Sequence, residues 1–332
     1  EDMLAAMRTL LAAPADADAV DAMAATLAAA AGPADASAFA AYGELFRALV
    51  AIEDDPFPAS RLSRALARRV GFDPELRGRL ATAAIAMSAA SGDGADSAIE
   101  FIDAITAAGV RPFASAEDAE KPASTADILV RASGVFSMVG DQAGGETMLL
   151  EAIARDPDHA GGLNNLVYAR IVRGTIDDET VAMAERAAKA SPDDPGILDT
   201  IGLVRYHQGV LRDGAGGPGA ISLYRQALRL RPDQPSLETL DHLGDALWRD
   251  GDQQGAIRCW QEVPRVAMLR FPPGPLARNL VEYQRREFGV ELVEPEQYIR
   301  RQYGAVVERA ERKLGEVARG AAPSIEDCRA LR

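Results

Sequence analysis

Only two cysteines, Cys259 and Cys328, occur in 332 residues. That is too few for a disulfide framework, so the fold has to be held by its own core. Aromatic side chains make up 5% of the chain, a shortage that argues against a sheet sandwich. Much of the 48% hydrophobic content is alanine, the strongest helix former, and an all-α fold follows. No apolar run approaches the ~18 residues that suggest a membrane span, because Arg, Asp, Glu or Pro interrupts every alanine-rich stretch. Basic residues are also scarce, 36 against 50 acidic, for a net charge of -14. Such a chain repels phosphate backbones, which excludes general nucleic-acid binding. The imbalance is uneven: from Arg265 onward 13 basic and 10 acidic residues give +3, leaving -17 in the first 264. A basic partner is therefore drawn to the larger part.

The motifs of catalysis are missing as well. His159, His207 and His242 are scattered without metal-ligand spacing, and no G-x-S-x-G elbow is present. Gly214, Gly216 and Gly219 spell G-x-G-x-x-G, but the pattern follows an expected helix instead of a strand, and no Lys-Ser or Lys-Thr comes after it. A flexible insertion inside a hairpin is the expectation there. These absences point away from an enzyme and from any cofactor or metal.

What the chain does contain is a repeat. Leu129, Ala132, Ser133 and Phe136 lie on one helix face and Gly140 closes that helix; Gly145, Leu149 and Ala152 mark a second helix that stops at Pro157. The order returns as Leu163, Leu166, Val167, Gly174, Thr180, Ala184, Ala187 and Pro192. It returns again as Leu198, Ile201, Gly202, Gly209, Ala220, Tyr224, Ala227 and Pro232, and then as Leu240, Leu243, Gly244, Leu247, Gly251, Ala256, Trp260 and Val263. Successive first leucines are 34, 35 and 42 residues apart. Each hairpin has an apolar stripe that only the next can cover, so tandem stacking is expected. Small residues at Ser133, Gly202 and Gly244 permit close helix approach, and Tyr224 and Trp260 are expected to fill the gaps between hairpins.

Residues 126–263 resemble four tetratricopeptide repeats, with Leu240, Leu243, Gly244, Ala256 and Trp260 matching that family's signature best. Val167 departs from it where a small residue is usual, Arg170 and Arg205 where an aromatic is usual, and Pro264 is expected to cut the last hairpin short. The resemblance implies a right-handed superhelical solenoid whose first helices line a concave, partner-binding groove. Carried over residue by residue, the groove candidates are Asn164, Asn165 and Tyr168; Asp199, Tyr206 and His207; and Asp241, His242, Asp245, Trp248 and Arg249. Paired asparagines can hold a peptide backbone, and Tyr and Trp offer rigid contact area. The carboxylates of Asp199, Asp241 and Asp245 favour Lys or Arg on a partner and disfavour anionic tails. The family's lysine- and arginine-rich clamp for C-terminal carboxylates is therefore not expected. Trp248 is the sharpest case, since a large aromatic on a free face needs a cover, and the C-terminal helix is one candidate.

Residues 1–113 read as degenerate hairpins broken at Pro14, Pro33, Asp55 to Pro58 and Gly92 to Gly94. Leu80, Ala83, Ala84 and Met87, followed by Ala98, Ile102 and Pro112, repeat the register faintly. The polar stretch 114–125 reads as a linker and hinge. Beyond Pro264, the segment 271–275 is expected to be irregular. A helix opened by Pro295 and Glu296 then carries Tyr303, Val306, Ala310, Leu314 and Val317 on one face and caps the array within 264–332. The tail 321–332 shows no period. The expected function is a protein-interaction scaffold; the alternatives are a helical accessory portion of a larger enzyme or transport component, or a self-assembling structural protein. The chain starts at Glu1 in place of Met, which leaves room for a removed signal peptide or an upstream region, and the compartment stays open between cytoplasm and periplasm.

Overall fold

The computed structural model describes residues 7, 17–30, 34–51, 55–114, 122–270 and 273–325. Among them the secondary structure is helical throughout, with no β-strand and one isolated bridge between Gly214 and Gly217. No helix among them is long and apolar enough to cross a membrane. The breaks at Pro14 and Pro33, most of the 114–125 linker, and Cys328 lie outside the described residues.

The chain forms two compact units, residues 1–157 with 278–295, and residues 158–277 with 296–332. The first unit holds α1 (Ala17–Ala30), α2 (Phe39–Val50), α3 (Phe57–Ala67), α4 (Pro74–Ser91), α5 (Ala95–Ala107), α6 (Thr125–Val139) and α7 (Gln142–Arg155). Helix α4 is buried nearly all round from Leu76 to Ala89, the signature of a helix at the centre of a bundle, not of one presenting a single stripe. Its closest partner is α3. The faint register over 80–112 thus marks real core positions, with Leu80, Ala83, Ala84, Met87, Ala98 and Ile102 all fully buried, yet α4 and α5 do not form the tightest pair. The α6/α7 hairpin has the expected form: Ser124 and Asp127 make a reciprocal capping box at its start, and Gly140 turns it with a φ of 96°.

The second unit is a tandem array of α8 (Ala160–Val172), α9 (Asp178–Ala190), α10 (Pro195–His207), α11 (Ala220–Leu230), α12 (Leu237–Asp250) and α13 (Gln253–Arg270). The pairs α8/α9, α10/α11 and α12/α13 are hairpins, and α10 packs on α8 and α9 as α12 packs on α11 and α10. The turn glycines Gly174, Gly209 and Gly251 repeat the left-handed φ of Gly140, a conformation that carries no Cβ penalty only in glycine. Tyr224 and Trp260 are fully buried. A Cβ on Gly202 would stand 2.5 Å from the Tyr224 ring, and one on Gly244 would overlap the Trp260 indole, so the two small residues and the two large ones are halves of one contact.

Several expectations need correction. Pro264 does not end the last hairpin: α13 continues through it to Arg270, held by the buried Val263 and Val266 on either side of the lost backbone bond. The segment 271–275 is not irregular throughout, because Pro273 already begins α14 (Pro273–Phe288); prolines in a first turn forgo only N–H groups that have no intrahelical acceptor. The glycine-rich insertion is a pinned turn. Gly214 and Gly217 exchange backbone bonds of 3.1 and 3.0 Å, and Asp213 accepts from the Gly219 N–H at 3.0 Å.

Residues 278–295 pack with the first unit, where Phe288 and Val290 join its core. Gln284 is fully buried and accepts from the N–H groups of Leu292 and Val293 at 2.7 and 2.9 Å, fixing the turn that follows α14. The chain then forms α15 (Pro295–Ile299), a π turn over Arg300–Gly304, and α16 (Ala305–Ala318). Helix α16 packs on α13 and α12, in the place a further first helix would take. Val306 and Ala310 are buried and Tyr303, Leu314 and Val317 pack against the same core, the face anticipated from their spacing.

Candidate functional site

The groove candidates sit on α8, α10 and α12, the first helices of the three hairpins in the second unit, and local sequence sets each helix in place. His159 caps α8 through its Nδ1, which accepts the Gly162 N–H at 3.0 Å. Asp194 accepts from Gly196 and Ile197 at the start of α10, and the Ser236 hydroxyl accepts from Thr239 at the start of α12. The two arginines that stand where an aromatic is usual become braces: Arg170 pairs with Glu179 at 2.9 Å, and Arg205 with Glu185 at 3.3 Å.

The candidates fall into two groups. On α8, Asn165 and Tyr168 are exposed, and Asn164 donates to the Asn165 side chain at 3.3 Å while its own Oδ1 has no hydrogen-bond partner. On α10 and α12 the carboxylates are buried: Asp199, Asp241 and Asp245 are 9, 2 and 5% exposed. Asp199 meets His242 Nδ1 at 3.1 Å. Asp241 and Asp245, one helical turn apart, share the ammonium of Lys313 at 2.7 and 2.6 Å, and Arg309 adds a 3.2 Å bond to Asp241. The indole N–H of Trp260 donates to Asp245 at 3.1 Å.

Asp199 and Asp241 occupy equivalent repeat positions, and each finds its cation on the helix in the next first-helix place, α12 for Asp199 and α16 for Asp241. The seam therefore runs Asp199–His242 and then Asp241 and Asp245 to Arg309 and Lys313. Three carboxylates face three basic groups, and charges balance when the imidazole is protonated. Burial by itself lowers His242, but Asp199, with Asp241 and Asp245 behind it, outweighs that and raises the imidazole to about 9. Burial, reinforced by Asp241, pushes Asp245 up to about 6 against the pull of Lys313 and His242.

The aromatic candidates are partly or wholly covered. Trp248 is half-buried and lies tilted by 34° against Trp260 with centroids 5.8 Å apart. Tyr206 and His207 are buried, and Arg249 lies 5.0 Å over the Tyr206 ring. Residue spacing alone did not reveal Lys313 and Arg309; the signal was present only as two bases one turn apart on the otherwise acidic-and-basic face of α16. Beside the seam, a cleft of about 330 Å³ is lined by Asp199, Arg231, Glu238, Thr239 and Tyr303. Among the described residues no group of three or more His, Cys, Asp or Glu side chains is arranged to hold a metal ion.

The hairpins are tetratricopeptide-like in form. No protein-family profile matches the chain. Over 93 residues, 28% of this chain, it is 42% identical to a TPR repeat-containing protein of Pseudomonas aeruginosa, and the match covers 14% of that protein, so the chain spans about one seventh of the length of this curated relative. Among solved structures, MamA MSR-1 aligns over 57% of this chain and 97% of its own at 15% identity and a TM-score of 0.36. The APC/C hetero-tetramer Cut9-Hcn1 aligns over 83% of this chain and 55% of its own at 12% identity and a TM-score of 0.28.

Proposed function

We propose that this chain is a protein-interaction scaffold without catalytic activity, holding a peptide or protein partner on the exposed face of its first helices. The observation that supports this reading is the surface of α8. Tyr168 is 43% and Val172 68% exposed, with exposed Asn165 one turn earlier. Spacings of three and four residues bring the three side chains onto one helix face. Large apolar groups gathered on one face, with an aromatic that loses little entropy on contact, mark a protein-binding surface. The asparagine pair adds backbone-compatible donors and acceptors, chiefly through the exposed Asn165.

Site-specific photo-crosslinking in the native cell tests the reading. A crosslinking amino acid in place of Tyr168 or Val172 is expected to give discrete protein adducts, and one in place of exposed Lys189 on α9 none. Equal adducts from position 189, or none from 168 and 172, would remove α8 as the contact face.

A further inference from the structure

We propose that α16 is a built-in, displaceable occupant of an acidic docking face on α12, and that this face accepts in competition a partner helix carrying two basic residues one turn apart. The inference rests on the scaffold reading and names the class of partner that the array takes at its C-terminal end.

The first ground is the match of charges. Asp241 and Asp245 are spaced one turn apart on α12, and Arg309 and Lys313 are spaced one turn apart on α16, so the helices meet as a two-by-two ladder with Lys313 at its centre. Burial makes this ladder selective, since each carboxylate loses its water and must receive a cation in return. A helix bearing glutamates or neutral residues at the two positions would leave both acids stranded.

The second ground is how shallowly α16 is seated and how it is fed. Only Val306, Ala310 and Lys313 are fully buried on it, while Tyr303, Val307, Leu314 and Val317 pack against the core partly exposed. Helix α12, by contrast, buries Leu237, Leu240, Leu243, Ala246 and Leu247 within the array. The stem leading into α16, from Pro295 to Gly304, buries no side chain and contains the π turn, an irregularity that commonly marks a functional segment. The cleft beside Tyr303 opens at the end of α16 where that stem enters. A helix whose specificity comes from the buried ionic ladder, seated on a modest apolar face and fed by a stem that buries no side chain, can be exchanged for another with the same apolar face and four-residue code. On this chain the code reads Val306-x-x-Arg309-Ala310-x-x-Lys313. A second copy of the chain could donate the same helix, but it brings no contact that the tethered α16 lacks and so gains nothing against the tether's effective concentration, whereas a partner helix with further apolar contacts beside the basic pair does.

The test uses the full chain and a fluorescent peptide with the sequence of residues 303–320. The variant Arg309→Gln/Lys313→Gln, whose own α16 no longer competes, is expected to bind the peptide about ten-fold or more tightly than the wild-type chain does. A peptide with the same two glutamines is expected not to bind, and Asp241→Asn/Asp245→Asn in the chain is expected to abolish binding. Equal affinity for both chains, or binding of the neutral peptide, overturns the proposal, as does peptide-independent dimerisation of the variant. Should the variant fold poorly, hydrogen exchange on the wild-type chain decides. Excess peptide is expected to raise exchange across 305–318 and leave 195–230 unchanged, and unchanged exchange at 305–318 counts against the idea. Loss of crosslinks from Tyr168 with this competition intact refutes only the α8 contact; loss of the competition with crosslinks intact refutes only the exchange.

Discussion

Replacing Lys313 by methionine keeps an unbranched apolar stem of nearly the same length and removes the ammonium with its charge and N–H donors. In the wild type one ammonium sits 2.7 Å from Asp241 and 2.6 Å from Asp245, and all three residues are no more than 5% exposed. Without it, two buried carboxylates face each other with the part-exposed Arg309 beside Asp241 and the neutral Trp260 N–H on Asp245. Breaking a buried pair from one side costs about 3–5 kcal/mol, because the remaining charge keeps its desolvation penalty. The release available to the molecule is to detach α16 and hydrate the acids, so the loss should appear locally. Hydrogen exchange is expected to show amide protection across Val306–Ala318 falling by roughly two to four decades while α10 and α11 keep theirs. The triple variant Asp241→Asn/Asp245→Asn/Lys313→Met, which removes the whole cluster, should recover much of that protection. A change for Lys313→Met no larger than the ~1 kcal/mol of an exposed pair would refute the reasoning, since it would mean water screens the cluster.

Gly244→Ala should destabilise the array by about 1–3 kcal/mol in chemical denaturation, because the added methyl overlaps the Trp260 indole. Gly134→Ala, in a helix interior with open space around it, should stabilise by ~0.5–1 kcal/mol; a loss at Gly134 would upset that contrast. The His242 imidazole is raised from 6.5 to about 9, so its contribution is fully present below 6.5 and disappears as pH climbs to about 9. Unfolding free energy should therefore fall between those pH values and His242→Gln should flatten the fall, whereas a rise with pH would contradict the assignment. Asp245, raised from 3.8 to about 6, acts in the same direction over the lower window. Pro264→Ala restores a backbone donor inside a continuous helix and should raise stability by about 1 kcal/mol or more, as read by thermal unfolding.

Much of the fold was legible before any coordinates. The recurrence of Leu, Gly and Tyr or Trp at matching offsets located the turns, the small and large core positions and the apolar face of α16, but Tyr224 meets Gly202 and Trp260 meets Gly244 within a hairpin and not, as expected, between hairpins. Such features depend on periodicity within one or two helices, which a linear pattern records directly. Position in the family's groove register was less informative. It grouped Tyr168 with Asp241 and Asp245, although the first is exposed and the other two lie under Lys313. Equivalent places in a repeat receive different neighbours according to whether another hairpin, a capping helix or solvent comes next. Pro264 was misread for a related reason: tertiary burial of Val263 and Val266 overrides the local preference of proline to end a helix.

The amino-acid order alone determined an all-helical chain, the phase of its hairpins and which side chains must be hidden, because the helical period ties burial to sequence spacing. Only the tertiary structure decided that residues 278–295 return to the first unit and that an acid on α12 meets a base 72 residues later. Those pairings depend on how separate helices dock, and charge attraction between them acts through space with no periodic trace along the chain.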